Sequence, residues 1–282
     1  MKKQLTRIAS WMLLATMGQA GAFAQNIRID MNQTYPEKTI NLQKVADVKY
    51  IPLETTDEVL FNGIVTNLSA EGIAGFNKKE GDILVFDGTG KAIASFNHTG
   101  QGPNEYNKIY HLDVDWKQKE VYVQDNFRQK IRIYGLDGRH LRTIDLQEIM
   151  QEGDLYSFSD THLIYYAKPK SKPVTPYEPV TLLSKKDASK VTLPFIKTDD
   201  NLVKATGGPF GNMKMSAKNV NLLCKKGDEV YVNEVTADVI YRVESNHALT
   251  PVVERTPSYQ DASGQDFFLM LTGANERYYF FK

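Results

Sequence analysis

Ile83-Leu84-Val85-Phe86-Asp87-Gly88-Thr89-Gly90-Lys91-Ala92-Ile93 aligns without a gap with Ile131-Arg132-Ile133-Tyr134-Gly135-Leu136-Asp137-Gly138-Arg139-His140-Leu141, at an offset of 48 residues. Each copy reads as an apolar strand, a glycine turn and a second strand. Outward from these, Val121-Tyr122-Val123-Gln124-Asp125 stands before the second copy. It recurs as Val230-Tyr231-Val232-Asn233-Glu234, followed by Val239-Ile240-Tyr241-Arg242-Val243. Ile73-Ala74-Gly75-Phe76 precedes the first copy, and Leu163-Ile164-Tyr165-Tyr166 with Val180-Thr181-Leu182-Leu183 makes a degenerate one. A hairpin alone cannot bury its apolar face, whereas stacked copies share a core. A four-stranded unit of about 40–50 residues is the blade of a β-propeller. A β-sandwich also stacks hairpins, but it requires no fixed interval between them. The expected fold is all-β, a β-propeller of four-stranded antiparallel blades. Helical periodicity is scarce; residues 146–150 and 262–271 each offer one short turn at most.

The chain has 282 residues, with 34 Lys+Arg against 34 Asp+Glu. No basic excess is present to bind nucleic acid. The first 24 residues read as a signal peptide. Lys2, Lys3 and Arg7 precede the short apolar core Trp11-Met12-Leu13-Leu14-Ala15-Thr16-Met17, and Ala22-Phe23-Ala24 supplies the cleavage site. That core is far shorter than the ~20 residues of a spanning helix, and no cysteine follows it for a lipid anchor. Without this leader the chain carries 31 basic and 34 acidic residues. The expectation is export to the periplasm, the cell surface or the medium, with no membrane span after cleavage. The division expected is 1–24 signal peptide, 25–44 lead segment and 45–282 propeller. Cys224, the lone cysteine, excludes an internal disulfide; its apolar setting reads as core packing rather than a reactive thiol.

Four markers then resemble a known family. They are Val48-Lys49-Tyr50-Ile51-Pro52-Leu53-Glu54-Thr55, similar to a "pLET" opening strand; Ile83-Leu84-Val85-Phe86-Asp87 with its Gly90 turn; Gly100-Gln101-Gly102-Pro103-Asn104-Glu105-Tyr106; and Val121-Tyr122-Val123-Gln124-Asp125 with Lys130-Ile131 and Tyr134. In this order they resemble the six-bladed β-propellers secreted by gut-type Bacteroidota, relatives of NHL-repeat propellers. The resemblance implies a six-bladed type. Only four blade cores and a fragment, Asp266 to Met270 and Arg277 to Lys282, are legible here. The ring is therefore expected to be incomplete, with an apolar edge open to pairing. Asn104 stands where the family loop has Gly, a substitution that a left-handed turn tolerates.

The loop 100–106 has two readings: a binding loop at the propeller mouth, or a connection whose Glu105 and Tyr106 fasten neighbouring blades. The residues expected to meet a ligand are His98, Gln101, Asn104, Glu105, Tyr106 and Arg128. Asp113 and Asp115 lie two apart and share one face of a strand, in principle a calcium or acid/base pair. Two carboxylates fall short of the 6–8 oxygens calcium takes, and turn capping is the plainer reading. The five histidines make no local zinc motif, and no nucleophile elbow, Walker loop or dinucleotide fingerprint is present. No cofactor, metal or catalytic residue is assigned. The proline-rich stretch 168–179 and the glycine-rich stretch 197–216 read as long surface loops. The expected function is an exported binding module for a protein, peptide or glycan. The alternatives are a propeller lyase or hydrolase, and a shortened product without function.

Overall fold

The structure, a computed structural model, describes residues 26–36, 39, 41, 43, 47–146, 153–167, 180–194, 223–234, 237–258, 269, 271–274 and 279–281. The leader, the loops 168–179 and 197–216, and nearly all of 146–150 and 262–271 lie outside the described residues. After β1 (Ile27–Asp30), strands β2 (Ile64–Leu68), β3 (Gly72–Phe76), β4 (Ile83–Asp87) and β5 (Ala92–Phe96) form the first sheet. The second holds β6 (His111–Asp115), β7 (Glu120–Asp125), β8 (Lys130–Gly135) and β9 (His140–Asp145). The third holds β10 (Gly153–Ser157), β11 (His162–Ala167), β12 (Val180–Ser184) and β13 (Lys190–Thr192). The fourth holds β14 (Leu223–Lys226), β15 (Glu229–Val232), β16 (Val239–Val243) and β17 (Leu249–Thr256), and a hairpin of β18 (Leu271–Ala274) and β19 (Tyr279–Phe281) follows it. Each four-stranded set is an antiparallel meander, and the sheets stand side by side as propeller blades. Among the described residues they form an arc and not a closed ring. The expected all-β propeller, four blades and the start of a fifth, is what the chain builds.

The two middle strands of each blade read as unbroken apolar runs because both their faces are covered. Alternate side chains feed two different cores. In β11, Leu163 and Tyr165 pack toward the second blade, while Ile164 and Tyr166 pack toward the fourth. In β7, Val121 and Val123 meet the first blade, and Tyr122 meets the third. The outer strand β5 alternates between half-buried and exposed, as an edge with one covered face should.

The 48-residue repeat holds down to single bonds. Gly90 and Gly138, aligned in sequence, both take the left-handed backbone, with φ of 91° and 80°. Asp87 N donates to Lys91 O and Gly135 N to Arg139 O, both at 2.9 Å. A register shift falls between Val85 and Phe86 in one blade and between Ile133 and Tyr134 in the next. The third and fourth blades place Ala188 and His247 in the corresponding turns, at φ of 60° and 68°, where a side chain is disfavoured.

Two features differ from the expected layout. The segment read as a lead contributes β1, which pairs in parallel with β17 and widens the fourth sheet to five strands. The "pLET" segment forms no blade strand. Instead Ile51, Leu53, Val59 and Phe61 lie over Ile73, Leu84 and Phe86, covering the first blade's outer face where a neighbouring blade would otherwise sit. Glu54 fixes it, its N donating to Gly90 O at 2.8 Å and its carboxylate accepting from Ala92 N at 2.8 Å.

Candidate functional site in the propeller channel

The first strands of the four blades, β2, β6, β10 and β14, line the channel. The turns that follow them ring one mouth, enclosing a cavity of about 1240 Å³. At its floor is Asp113 on β6, 1% exposed. Its carboxylate accepts from three other blades: Asn67 Nδ2 of β2 at 2.6 Å, Ser157 N of β10 at 2.6 Å and Lys225 Nζ of β14 at 3.1 Å. Alternation along β6 places Asp115 on the same face. It accepts from Lys185 Nζ at 2.5 Å, Ser157 Oγ at 3.1 Å and Gln118 N at 2.9 Å. Turn capping thus describes Asp115 only in part and Asp113 not at all; both tie blades together. Asn67 extends the network, its Oδ1 accepting from Trp116 Nε1 at 2.8 Å. Trp116 sits close to the first blade because Gly72 leaves room: a Cβ there would lie 2.4 Å from the indole.

The electrostatics follow from this pairing. Burial raises the Asp115 carboxyl, but the bonds from Lys185, Gln118 and Ser157 outweigh it and hold it below the usual carboxylate range. Burial, then the charges of Asp154 and Asp113, push the Tyr156 phenol up. Tyr156 lines the cavity. Its ring meets His111 edge-on at 5.0 Å. His247 lines the cavity too, 5.2 Å from the His162 ring across the junction of the third and fourth blades. No group of three or more His, Cys, Asp or Glu side chains among the described residues can hold a metal ion.

The six residues expected to meet a ligand gather at the opposite end of β6, and none lines this cavity. Glu105 turns back into its own loop and accepts from Gly102 N at 2.7 Å. Tyr106 is fully buried, its hydroxyl donating to Gly81 O at 2.7 Å and accepting from His98 N at 2.9 Å. Burial pushes that phenol up to about 12. Arg128 donates to Gly102 O at 3.0 Å, Gly100 O at 3.1 Å and Gln101 Oε1 at 2.8 Å. Asn104 O accepts from Tyr134 at 2.7 Å, and His98 stacks on Tyr134 while its Nε2 meets Gly138 O at 2.8 Å. Arg132 donates to Glu105 O. This geometry is that of a connection fastening the first blade to the second. Cys224 is partly buried against Tyr231 and its neighbours, and burial pushes the thiol up, away from the reactive thiolate.

Asn67, Ser157, Lys185 and Lys225 belong to no local motif, because their partner is reached only by closing loops of 44 to 112 residues. The Asp113–Asp115 spacing alone pointed here.

No curated protein matches the chain. Among solved structures, a Bacteroides fragilis protein provisionally named as exported superposes with a TM-score of 0.53 at 16% identity, covering 82% of this chain and 60% of that one. A member of the DUF4221 family from Bacteroides vulgatus gives 0.46 at 10% identity, covering 71% and 60%. The WD40 propeller domain of Doa1 gives 0.37 at 9% identity, covering 64% and 50%. The chain thus spans about 60% of the length of the first two. A sequence family described as a domain of unknown function, DUF4934, matches residues 26–255, and the chain belongs to that family.

Proposed function

We propose that this chain is an exported binding module whose ligand enters the propeller channel at the mouth ringed by the turns after β2, β6, β10 and β14. The observation that carries this reading is the cavity of about 1240 Å³ into which four blades project side chains. Its size exceeds the ~300–1,000 Å³ of sites for drug-sized ligands, so a peptide segment or oligosaccharide fits as well as a smaller ligand. Export is supported by the leader at 1–24 and by the naming of the B. fragilis neighbour.

An enzyme would also gather ionisable groups from several blades at the axis, as Asp113, Asp115, Lys185 and Lys225 gather here. General acid–base catalysis, however, needs a group free to exchange a proton near the working pH. Asp113 and Asp115 are fully engaged by lysines and amides, and Asp115 is held low rather than raised. The cluster ties blades together and shapes a cavity floor.

The test uses Trp116, which lines the cavity. Only Trp11 and Trp116 are present, so Trp11→Phe leaves one indole to report on the site. Peptides and oligosaccharides are titrated while its fluorescence is read. A ligand of this site shifts the emission and is blocked by Ala70→Tyr or Thr161→Tyr, which narrow the mouth from two blades. Ligands that bind equally well to the narrowed variants would place the site elsewhere.

A further inference from the structure

Resting on that reading, we infer that the group recognised in the channel mouth is an organic cation, an alkylammonium or guanidinium, carried by a free polyamine or by a basic peptide side chain.

The charges lining the cavity are unequal. Glu71, Asp113, Asp115, Asp160 and Asp228 face it, against Lys117 and Lys225. The lysines are already engaged. Lys225 bonds Asp113, and Lys117 holds Asp160 through both oxygens, at 2.6 and 2.9 Å. Lys185, behind the floor, is taken by Asp115. After this pairing Glu71 and Asp228, on the turns of the first and fourth blades, remain without an ion-pair partner among the described residues. Lys117 feels Asp115 and Asp228 as well as Asp160, and it is the bond to Asp160, then these charges, that raise its pKa. A cleft walled by one sign of charge concentrates the opposite sign, so an anionic ligand is repelled at the rim and a cationic one drawn in.

Charge is not the whole argument. The wall also carries Trp116, Tyr156 and Phe158, three rings of the kind that hold a desolvated cation by their faces and cover its methylene stem. One acceptor awaits a donor: Thr66 Oγ1 is buried in the cavity wall with no hydrogen-bond partner among the described residues. A buried hydroxyl without a partner is a cost that an entering N–H donor removes. An ammonium or guanidinium supplies such donors together with the complementary charge.

The experiment titrates the Trp11→Phe chain with spermidine, a capped lysine tripeptide, a capped glutamate tripeptide and maltotriose, reading Trp116 fluorescence at low and high salt. Spermidine or the lysine peptide binds, the glutamate peptide does not, and affinity falls with salt. Spermidine binding alone assigns a free polyamine; lysine-peptide binding alone, or the tighter of the two, assigns the peptide side chain. The double variant Glu71→Gln/Asp228→Asn weakens binding about fivefold at unchanged melting temperature, since neither residue holds a blade. Binding of maltotriose or the glutamate peptide as tight as the cationic probes, or cationic binding indifferent to the double variant, overturns the cation assignment while leaving the channel as a site. Failure of all four probes to perturb Trp116 overturns both.

Discussion

Asp113→Asn is the sharpest perturbation of this fold, because it changes one atom in a side chain that joins four blades. The carboxylate accepts Asn67 Nδ2, Ser157 N and Lys225 Nζ, and 1% of it reaches solvent. An amide keeps one acceptor and turns the other into a donor. Whichever way it is oriented, a donor then faces Asn67 on one side or Ser157 and Lys225 on the other. Breaking a buried charge pair from one side costs about 3–5 kcal/mol. Lys225 is 20% exposed and can turn toward the cavity, so the lower part of that range applies. About 3 kcal/mol corresponds to a fall of about 6–12 °C in Tm for a domain of this size. The assay is urea unfolding, with the midpoint falling at unchanged m. Lys225→Met should cost less than Asp113→Asn, and the double variant should show a coupling of about 1–3 kcal/mol. An Asp113→Asn midpoint within about 0.5 kcal/mol of the parent would refute the idea that this carboxylate binds the arc together.

Ala188→Gly should stabilise the chain by up to about 1 kcal/mol, since Ala188 holds φ at 60° in a turn where the first two blades use glycine; a denaturant midpoint reads it. Gly138→Ala should cost about 2–4 kcal/mol, combining a left-handed backbone with overpacking, because its Cβ would lie 2.6 Å from Phe96 Cγ. Arg128→Ala should loosen the loop 100–106 by about 1–2 kcal/mol through three lost bonds, seen as faster proteolysis there with the channel ligand still bound. Burial first raises Asp115 and Glu120, but their lysine or arginine partners and hydrogen bonds leave both carboxyls below their unfolded values. Their stabilisation is therefore present above about pH 4 and lost as pH falls below it, and Lys185→Met should flatten that acid limb of the stability curve.

Much of the fold was legible because its determinants are local. The aligned copies around Gly90 and Gly138 share turn, bulge and backbone bonds, since each blade must close the same hairpin with the same geometry. The degenerate third and fourth copies were also found, although Ala188 and His247 replace the turn glycine, because the apolar runs of their middle strands face two cores and cannot vary much. The covering role of Ile51, Leu53 and Phe61 was not legible. A short apolar run laid over a blade face and a blade strand look alike in sequence, and only their packing in the folded chain separates them. The parallel pairing of β1 with β17 was equally hidden, since it joins segments 226 residues apart.

The most conspicuous motif, Gly100 to Tyr106, is conspicuous because its demands lie within seven residues. Glycines at 100 and 102 leave room where Glu105 folds back, and a Cβ at Gly100 would lie 2.0 Å from its carboxylate. Such constraints produce a readable pattern whether or not a ligand is near. The channel makes the opposite demand. Each blade contributes one or two polar side chains from its first strand, and nothing beside them in the chain needs to match. What remains readable is the interval: Asn67 lies 46 residues before Asp113, and Asp113 lies 44 before Ser157. Both intervals fall close to the 48-residue blade repeat. In a stacked-blade protein the polar residues that recur at the blade period on the first strand are therefore the ones that meet at the axis. The pair Asp113 and Asp115, weak as a motif, is the point from which the channel can be traced.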